Sequence, residues 1–146
     1  MTNWKIKRFD ELSVREVYDV LALRCEVFIV EQNCPYQDPD GKDEKALHLL
    51  GYKDGILVAY ARLFGPGDYL QESCIGRVVV RQAHRDLKLG HRLMEQSLGI
   101  MAEKFPRPIK IHAQSYLQKF YETHGFAVCG DEFLEDGIPH LPMIIR

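Results

Sequence analysis

Apolar positions change period once near the middle of the chain, from a strand pattern to a helix pattern. Ile75, Val78, Val79 and Val80 are β-branched residues suited to a pleated sheet. Leu93, Met94, Leu98 and Met101 then recur at three- and four-residue spacing, which puts them on one buried helix face. Between the two patterns lies the stretch from Arg85 to His91. A junction of this kind leaves the first backbone NH groups of the helix without intrahelical partners, and the helix dipole adds partial positive charge there. It attracts anions, phosphate above all.

The flanking patterns are equally regular. Trp4 and Ile6 alternate with Lys5 and Lys7, a short strand with one wet face. Ser13 is placed to cap a helix, with Glu16 completing a capping box and Leu12 and Val17 positioned as a hydrophobic staple. The stripe Val14, Val17, Tyr18, Leu21, Cys25 and Phe28 predicts that this helix runs to about Phe28 or a little beyond. Residues 31–45, dense in Pro, Asp, Gly and Asn, predict a long loop, and loops of that length in compact domains are usually functional or disordered. Residues 47–52 and 56–64 flank an Asp54-Gly55 hairpin signal. The helix from Gly90 to about Lys104 is ended by Pro106 and Pro108, and Ile109, Ile111 and Ala113 begin another strand. A short helix over 115–124 stops at Gly125, and residues 126–128 and 141–145 supply two closing strands around a loop. The predicted order is β, α, β, β, β, α, β, α, β, β.

At 146 residues and 46% hydrophobic, the chain suits a single domain, 1–146, with a substantial core and no internal linker. A net charge of -2 argues against a nucleic-acid binder that relies on counterion release. Cys25, Cys34, Cys74 and Cys129 are widely spaced, with no C-x-x-C pair and no histidine at ligand intervals, so no metal is expected. Reduced thiols in a cytoplasmic protein are the simplest account. The N-terminal residues carry no apolar run of signal-peptide length and no segment reads as membrane-spanning, so no membrane partner is expected.

Val80, Arg85 and Gly90, spaced five and five, resemble the acetyl-coenzyme A loop of the GNAT N-acetyltransferases, R/Q-x-x-G-x-G/A. Lys88 stands where that pattern has its first glycine. Either its NH faces the pyrophosphate with a backbone conformation uncomfortable for lysine, or its side chain adds a phosphate contact. The segments LRCEVFIVEQNCPYQDPDG (23–41) and EDGIPHLPM (135–143) resemble the ElaA-like branch of the same superfamily, so the resemblance covers nearly the whole chain. It implies one α/β domain: a mixed, mostly antiparallel sheet with helices on both faces, splayed between the strand ending at Val80 and the strand ending near Ala113. Acetyl-coenzyme A, as cosubstrate, is implied in that wedge. The backbone of 77–80 would pair with its pantetheine arm, and the NH of Val78 or Val79 would polarise the thioester carbonyl. Leu87, Lys88, Leu89, Gly90 and His91 would offer NH groups to the pyrophosphate, with Arg85 adding charge.

An amine acceptor attacks only when neutral, and a lysine-like amine of pKa about 10.4 is free at about one part in two thousand at neutral pH. A base is needed. Glu31, ending the first helix beside the long loop, is the first candidate, followed by His48 and His112. A lone Glu is more often a solvated cap, and His112 fits a satisfied core histidine as well. His140, in the EDGIPH segment, either faces substrate or pins its loop. Tyr121 matches the tyrosine that many GNAT enzymes place beside the coenzyme sulfur, where a phenol of pKa about 10 donates to the departing thiolate; Phe120 reads as core. Cys34 and Cys74 have no adjacent base, which favours direct transfer in a ternary complex over an acyl-enzyme.

Two other readings stay open. Lys88 in the loop suits a non-catalytic acyl-coenzyme A sensor or interaction module, and LRCEVF resembles the early motif of acyl-homoserine lactone synthases, which are longer chains. The acceptor is read as a small-molecule or peptide amine. Glu31, Asp38, Asp40, Asp43 and Glu44 either attract a cationic acceptor or are simply solvated. Exposed edges at 126–128 and 141–145 are where a homodimer would pair.

Overall fold

The computed structural model describes residues 1–146, apart from the side chain of Leu87. Four strands follow the sequence pattern in succession: β1 (Asn3–Arg8), β2 (Leu47–Lys53), β3 (Ile56–Phe64) and β4 (Ser73–Val80). Each pairs antiparallel with the next. Asp54 and Gly55, with φ of 51° and 77°, make the tight β2–β3 turn, the geometry whose twist matches the flanking strands. Helix α1 (Val14–Arg24) separates β1 from β2, and α2 (Leu89–Lys104) follows β4. The chain continues through β5 (Ile109–Gln114), α3 (Gln118–Glu122), β6 (Ala127–Val128), β7 (Phe133–Glu135) and β8 (Ile138–Ile145). The sheet order is β1-β2-β3-β4-β5-β8-β6 with β7 also beside β8, and only the β4–β5 pair is parallel among the described residues. This is the mixed, mostly antiparallel sheet that the family resemblance implies.

Both faces of the sheet are covered, which is why eight of nine residues of β3 are buried. Leu93, Met94 and Met101 of α2 pack with Leu49, Ala61 and Ile111 on one face. Val20, Leu23 and Val27 pack with Leu50, Leu57 and Tyr60 on the other. The first helix buries a different stripe from the expected one: Val14 is 90% and Tyr18 67% exposed, and Cys25 is exposed too. The true inward face carries Glu16 and Arg24, whose charges are met by Lys7 and by aspartates. A pattern that scores only apolar residues misses a face carrying paired charges. The helix reaches the expected length, but as a widened π-helical turn from Cys25 to Glu31.

The closing segment also differs. The stretch expected as a loop around EDGIPH is a β-hairpin, β7 to β8, turned by Asp136 and Gly137 with φ of 52° and 76°. It repeats the Asp-Gly turn chemistry of β2–β3.

Two irregularities mark β4. An extra residue bulges from it between the partners of Tyr60 and Arg62, and Arg77 there takes φ of 49°. Bulges re-aim side chains and increase local twist. β4 and β5 pair only at Ser73 with Ile109 and Cys74 with Lys110, after which the ladder between them stops.

Candidate functional site

Where β4 and β5 diverge, a cleft of about 460 Å³ opens. Val78, Val79 and Val80 line it along an edge of β4 with no strand partner on that side among the described residues. Such an edge presents backbone donors and acceptors to whatever enters. At one end, the 3₁₀ segment Gln82–Leu87 leads to Lys88, whose φ of 57° and ψ of 24° are left-handed. Lysine therefore keeps the backbone geometry of the glycine it replaces, at a cost of about 1–2 kcal/mol. The N-cap residue Lys88 makes no side-chain cap hydrogen bond, so among the described residues the first NH groups of α2 stay uncapped. Lys88, Gly90 and His91 line the cleft there. Leu89 is instead buried in the core and anchors the helix start; the side chain of Leu87 lies outside the described residues. A Cβ on Gly90 would meet Phe120 at an ordinary 3.5 Å, so glycine here leaves room in the cleft rather than relieving a clash.

Arg85 and Glu31 are brought together. The Arg85 guanidinium donates to both Glu31 carboxylate oxygens at 2.6 and 2.9 Å, and its Nε donates to the Val80 carbonyl at 3.0 Å. Glu31 lines the cleft with both carboxylate oxygens held by this arginine. His48 is elsewhere. It is 1% exposed between β2 and β3 and does not line the cleft. Its Nε2 lies 2.8 Å from the Asp43 carbonyl, which can only accept, so Nε2 carries the hydrogen and Nδ1 accepts from the Tyr60 hydroxyl at 2.6 Å. Burial holds its pKa below the ordinary imidazole value. Its polar partners, invisible in the sequence pattern, make it a tie between strands rather than a base.

Tyr121 does line the cleft while 6% exposed, packed edge-on against Phe120 and Phe126. Burial pushes its phenol well above the ordinary value, so it holds its proton at neutral pH. Phe120, read as core, is shared: it also lines the cleft and lies 4.8 Å from the ring of His91.

The opposite wall comes from β5 and the β7–β8 hairpin, where His112, Glu135 and His140 line the cleft together. Glu135 Oε1 is 3.4 Å from His112 Nδ1 and Oε2 is 3.6 Å from His140 Nε2. Glu135 escaped sequence reasoning because it sat in a presumed loop; the Asp136-Gly137 turn was the available signal.

The acidic loop has a structural use. Asp38 and Asp43 bind the buried Arg24 at 2.7 Å each, Asp40 and Asp43 bind the buried Arg62 at 2.9 and 3.0 Å, and Asp38 binds Arg77 at 2.9 Å. Three aspartates thus meet three arginines of α1, β3 and β4, which clamps the loop onto the sheet and leaves Tyr36 in the cleft wall. Burial pushes the Tyr36 phenol up to about 12. Asp38, Asp40 and Asp43 are therefore engaged by arginines rather than free for a cationic acceptor, although Asp40 keeps contact with solvent.

The profile of the acetyltransferase (GNAT) domain matches residues 16–146. The chain is a GNAT acetyltransferase-family member. It is 45% identical to protein ElaA of Escherichia coli K12 across 98% of this chain and 95% of that protein. The crystal structure of E. coli ElaA superimposes with a TM-score of 0.94 at 44% identity, covering 100% of both chains. An acyl-CoA N-acyltransferase from Pseudomonas aeruginosa gives 0.91 at 41% identity, covering 99% of each. GNAT membership makes this chain a transferase and gives the cleft between β4 and β5 its context. In this GNAT domain the five-and-five spacing of Val80, Arg85 and Gly90 corresponds to strand end, guanidinium and helix start around one opening.

Proposed function

We propose that this GNAT domain, a single unit over 1–146, transfers the acetyl group of acetyl-coenzyme A to a primary amine of a small molecule or peptide, by direct attack in a ternary complex. One observation carries the reading: β4 loses its neighbour at Cys74 and runs on as a bare edge to an uncapped helix start. A bare edge suits an extended amide-bearing arm, and an uncapped helix start with Arg85 beside it suits a pyrophosphate. The residues present fit the cosubstrate, which supplies an activated thioester when bound. The NH of Val78 or Val79 polarises the carbonyl; Val80 continues the edge. Leu87, Lys88, Leu89, Gly90 and His91 present NH groups to phosphate, and Arg85 adds charge once it shares or releases Glu31.

Tyr121, held protonated by burial, donates to the departing thiolate. The C–N bond forms as the C–S bond breaks; of the two protons that leave the acceptor ammonium, one ends on the thiol and one in bulk water. His48, outside the cleft, is set aside as a base, and Glu31, paired with Arg85, is not given that role here. Cys34 and Cys74 are not nucleophiles in this scheme: burial pushes the Cys74 thiol up to about 12, and the Cys34 sulfur turns to the Asp136 carbonyl at 3.1 Å. Four free thiols favour a reducing compartment, the cytoplasm. The exposed edge strand β6 is the place for homodimer pairing.

Thiol release from acetyl-coenzyme A, followed over a panel of small amines and peptide amines, tests the reading. Turnover of at least one amine is expected, and Tyr121→Phe lowers kcat about 10²-fold while the affinity for acetyl-coenzyme A holds. Cosubstrate binding with no turnover of any amine favours a non-catalytic acyl-coenzyme A sensor.

A further inference from the structure

The acetyl-transfer scheme leaves one wall of the cleft without a role, and that wall holds a constructed cluster. Gln114 of β5 and Phe133 of β7 both stand opposite His140 of β8. His112 is two residues before Gln114 and Glu135 two after Phe133, so strand alternation puts His112, Phe133, Glu135 and His140 on one face. The Phe133 ring lies edge-on to His112 at 5.0 Å and 5.9 Å from His140, buttressing both imidazoles. The Glu135 carboxylate spans the gap between them, one oxygen towards each ring.

The partners fix where hydrogen sits. His140 Nδ1 is 2.7 Å from the Ile138 carbonyl, which only accepts, so Nδ1 carries the hydrogen and Nε2 is the atom turned to Glu135. His112 turns Nδ1 to Glu135, which leaves Nε2 as its open nitrogen. A carboxylate holding one ring nitrogen while the other accepts a proton is the arrangement of a general base with its orienting group. The hydrogen bond from His112, against burial, holds the Glu135 carboxyl below the usual carboxylate range, with His140 and Arg77 adding charge. Glu135 is therefore an anion at neutral pH. Other ionisable groups about the cluster are Arg77 on β4, Tyr36 and Tyr69 in the loops, and Asp136 at the hairpin turn. Among the described residues no three His, Cys, Asp or Glu side chains converge as metal ligands, so the cluster is read as a proton device.

We propose that His112 is the general base for the amine acceptor: its Nε2 takes the ammonium proton, Glu135 orients the ring and stabilises the resulting imidazolium, and His140, when it carries a second hydrogen on Nε2, donates to Glu135 from the other side. This rests on the acetyl-transfer reading. Before attack the acceptor gives one proton to His112, which passes it to water; the second leaves nitrogen as the C–S bond breaks and balances the proton gained by the coenzyme thiolate. His112 is the catalytic residue, while Glu135 and His140 are positioning residues.

The test is the pH profile of kcat/KM for an amine from the panel, in the wild type, His112→Gln and Glu135→Gln, alongside calorimetric binding of acetyl-coenzyme A. His112→Gln is expected to lower kcat/KM about 10²–10³-fold and to replace a plateau with a rate that climbs with pH as free amine accumulates. Glu135→Gln is expected to move the acidic limb to lower pH, because the imidazolium has lost its carboxylate neighbour. Binding of acetyl-coenzyme A stays unchanged in both. A His112→Gln profile of wild-type height and shape overturns the proposal and leaves the acetyltransferase reading standing; failure of the wild type to bind acetyl-coenzyme A defeats that reading itself. Where no amine turns over, imidazole ¹⁵N spectra across the same pH range decide. Coupled titration of His112 and His140 that separates into independent steps in Glu135→Gln supports the cluster, and independent titration in the wild type overturns it.

Discussion

Arg24, Arg62 and Arg77 sit beneath the long loop and face Asp38, Asp40 and Asp43, whereas Arg81 and Arg85 follow β4, each paired with one glutamate of the π-helical turn, and Arg85 lines the cleft. Arg24 and Arg62 are 0% and 1% exposed and Arg77 is 16%, while Arg85 is 40% exposed. A buried arginine surrounded by its own carboxylates has nothing left for a ligand, and removing one partner strands a charge. An exposed arginine on a single carboxylate loses little by exchanging it for a phosphate. Net charge of one sign thus does two jobs, fastening a loop in one place and remaining available in the other.

The sharpest way to break this contrast is Arg24→Met, which leaves Asp38 on Arg77 alone and Asp43 on Arg62 alone. We expect a loss of about 3–5 kcal/mol in urea unfolding; a change below about 1 kcal/mol would show that the network is not holding the loop.

Acid unfolding probes the same region. Burial alone would raise the Asp40 and Asp43 carboxyls, but Arg62 and Arg24 outweigh it and hold both below the usual range. Because these groups bind protons more weakly folded than unfolded, their share of stability is complete above the unfolded value of about 3.9 and is lost as the pH falls through the lower folded values. Stability should therefore fall on acidification below about pH 5, and Asp43→Asn should flatten that fall even as it lowers stability at neutral pH.

At the cleft mouth the effects are smaller and appear in binding. Arg85→Gln should weaken acetyl-coenzyme A about tenfold in calorimetry, with unfolding free energy moving by less than about 1 kcal/mol. Equal losses in both would erase the distinction between the two groups. The smallest effect belongs to Lys88→Gly, which relieves a left-handed lysine and should raise stability by about 1 kcal/mol. Its effect on affinity separates the two roles: tighter binding means the side chain obstructs phosphate, weaker binding that it grips it.

Strands, the β2–β3 turn and the strand-to-helix junction after β4 were legible because they depend on local chemistry: β-branched runs, Asp54-Gly55, the change of period around Arg85. Lys88 was readable as a glycine position for the same reason. What escaped depends on partners distant in the chain. Arg24 sits on a helix face that hydrophobic pattern assigns to solvent, and only Asp38 and Asp43, 14 and 19 residues on, make its burial tolerable. His48 looked like an available imidazole until Tyr60 and Asp43 engaged both nitrogens. Glu31 sat beside the site as expected, yet its partner Arg85 is 54 residues away and changes its chemistry. Glu135 was lost through one unread Asp-Gly turn, and with it the link between His112 and His140.

Titration calorimetry of the wild-type protein with acetyl-coenzyme A tests the central claim most directly, that the gap between β4 and β5 with its bare edge and open helix start is a cosubstrate site. The account predicts one saturable site in the micromolar range, weakened by salt as expected for a phosphate held by Arg85. No heat of binding at concentrations that saturate a micromolar site would contradict it.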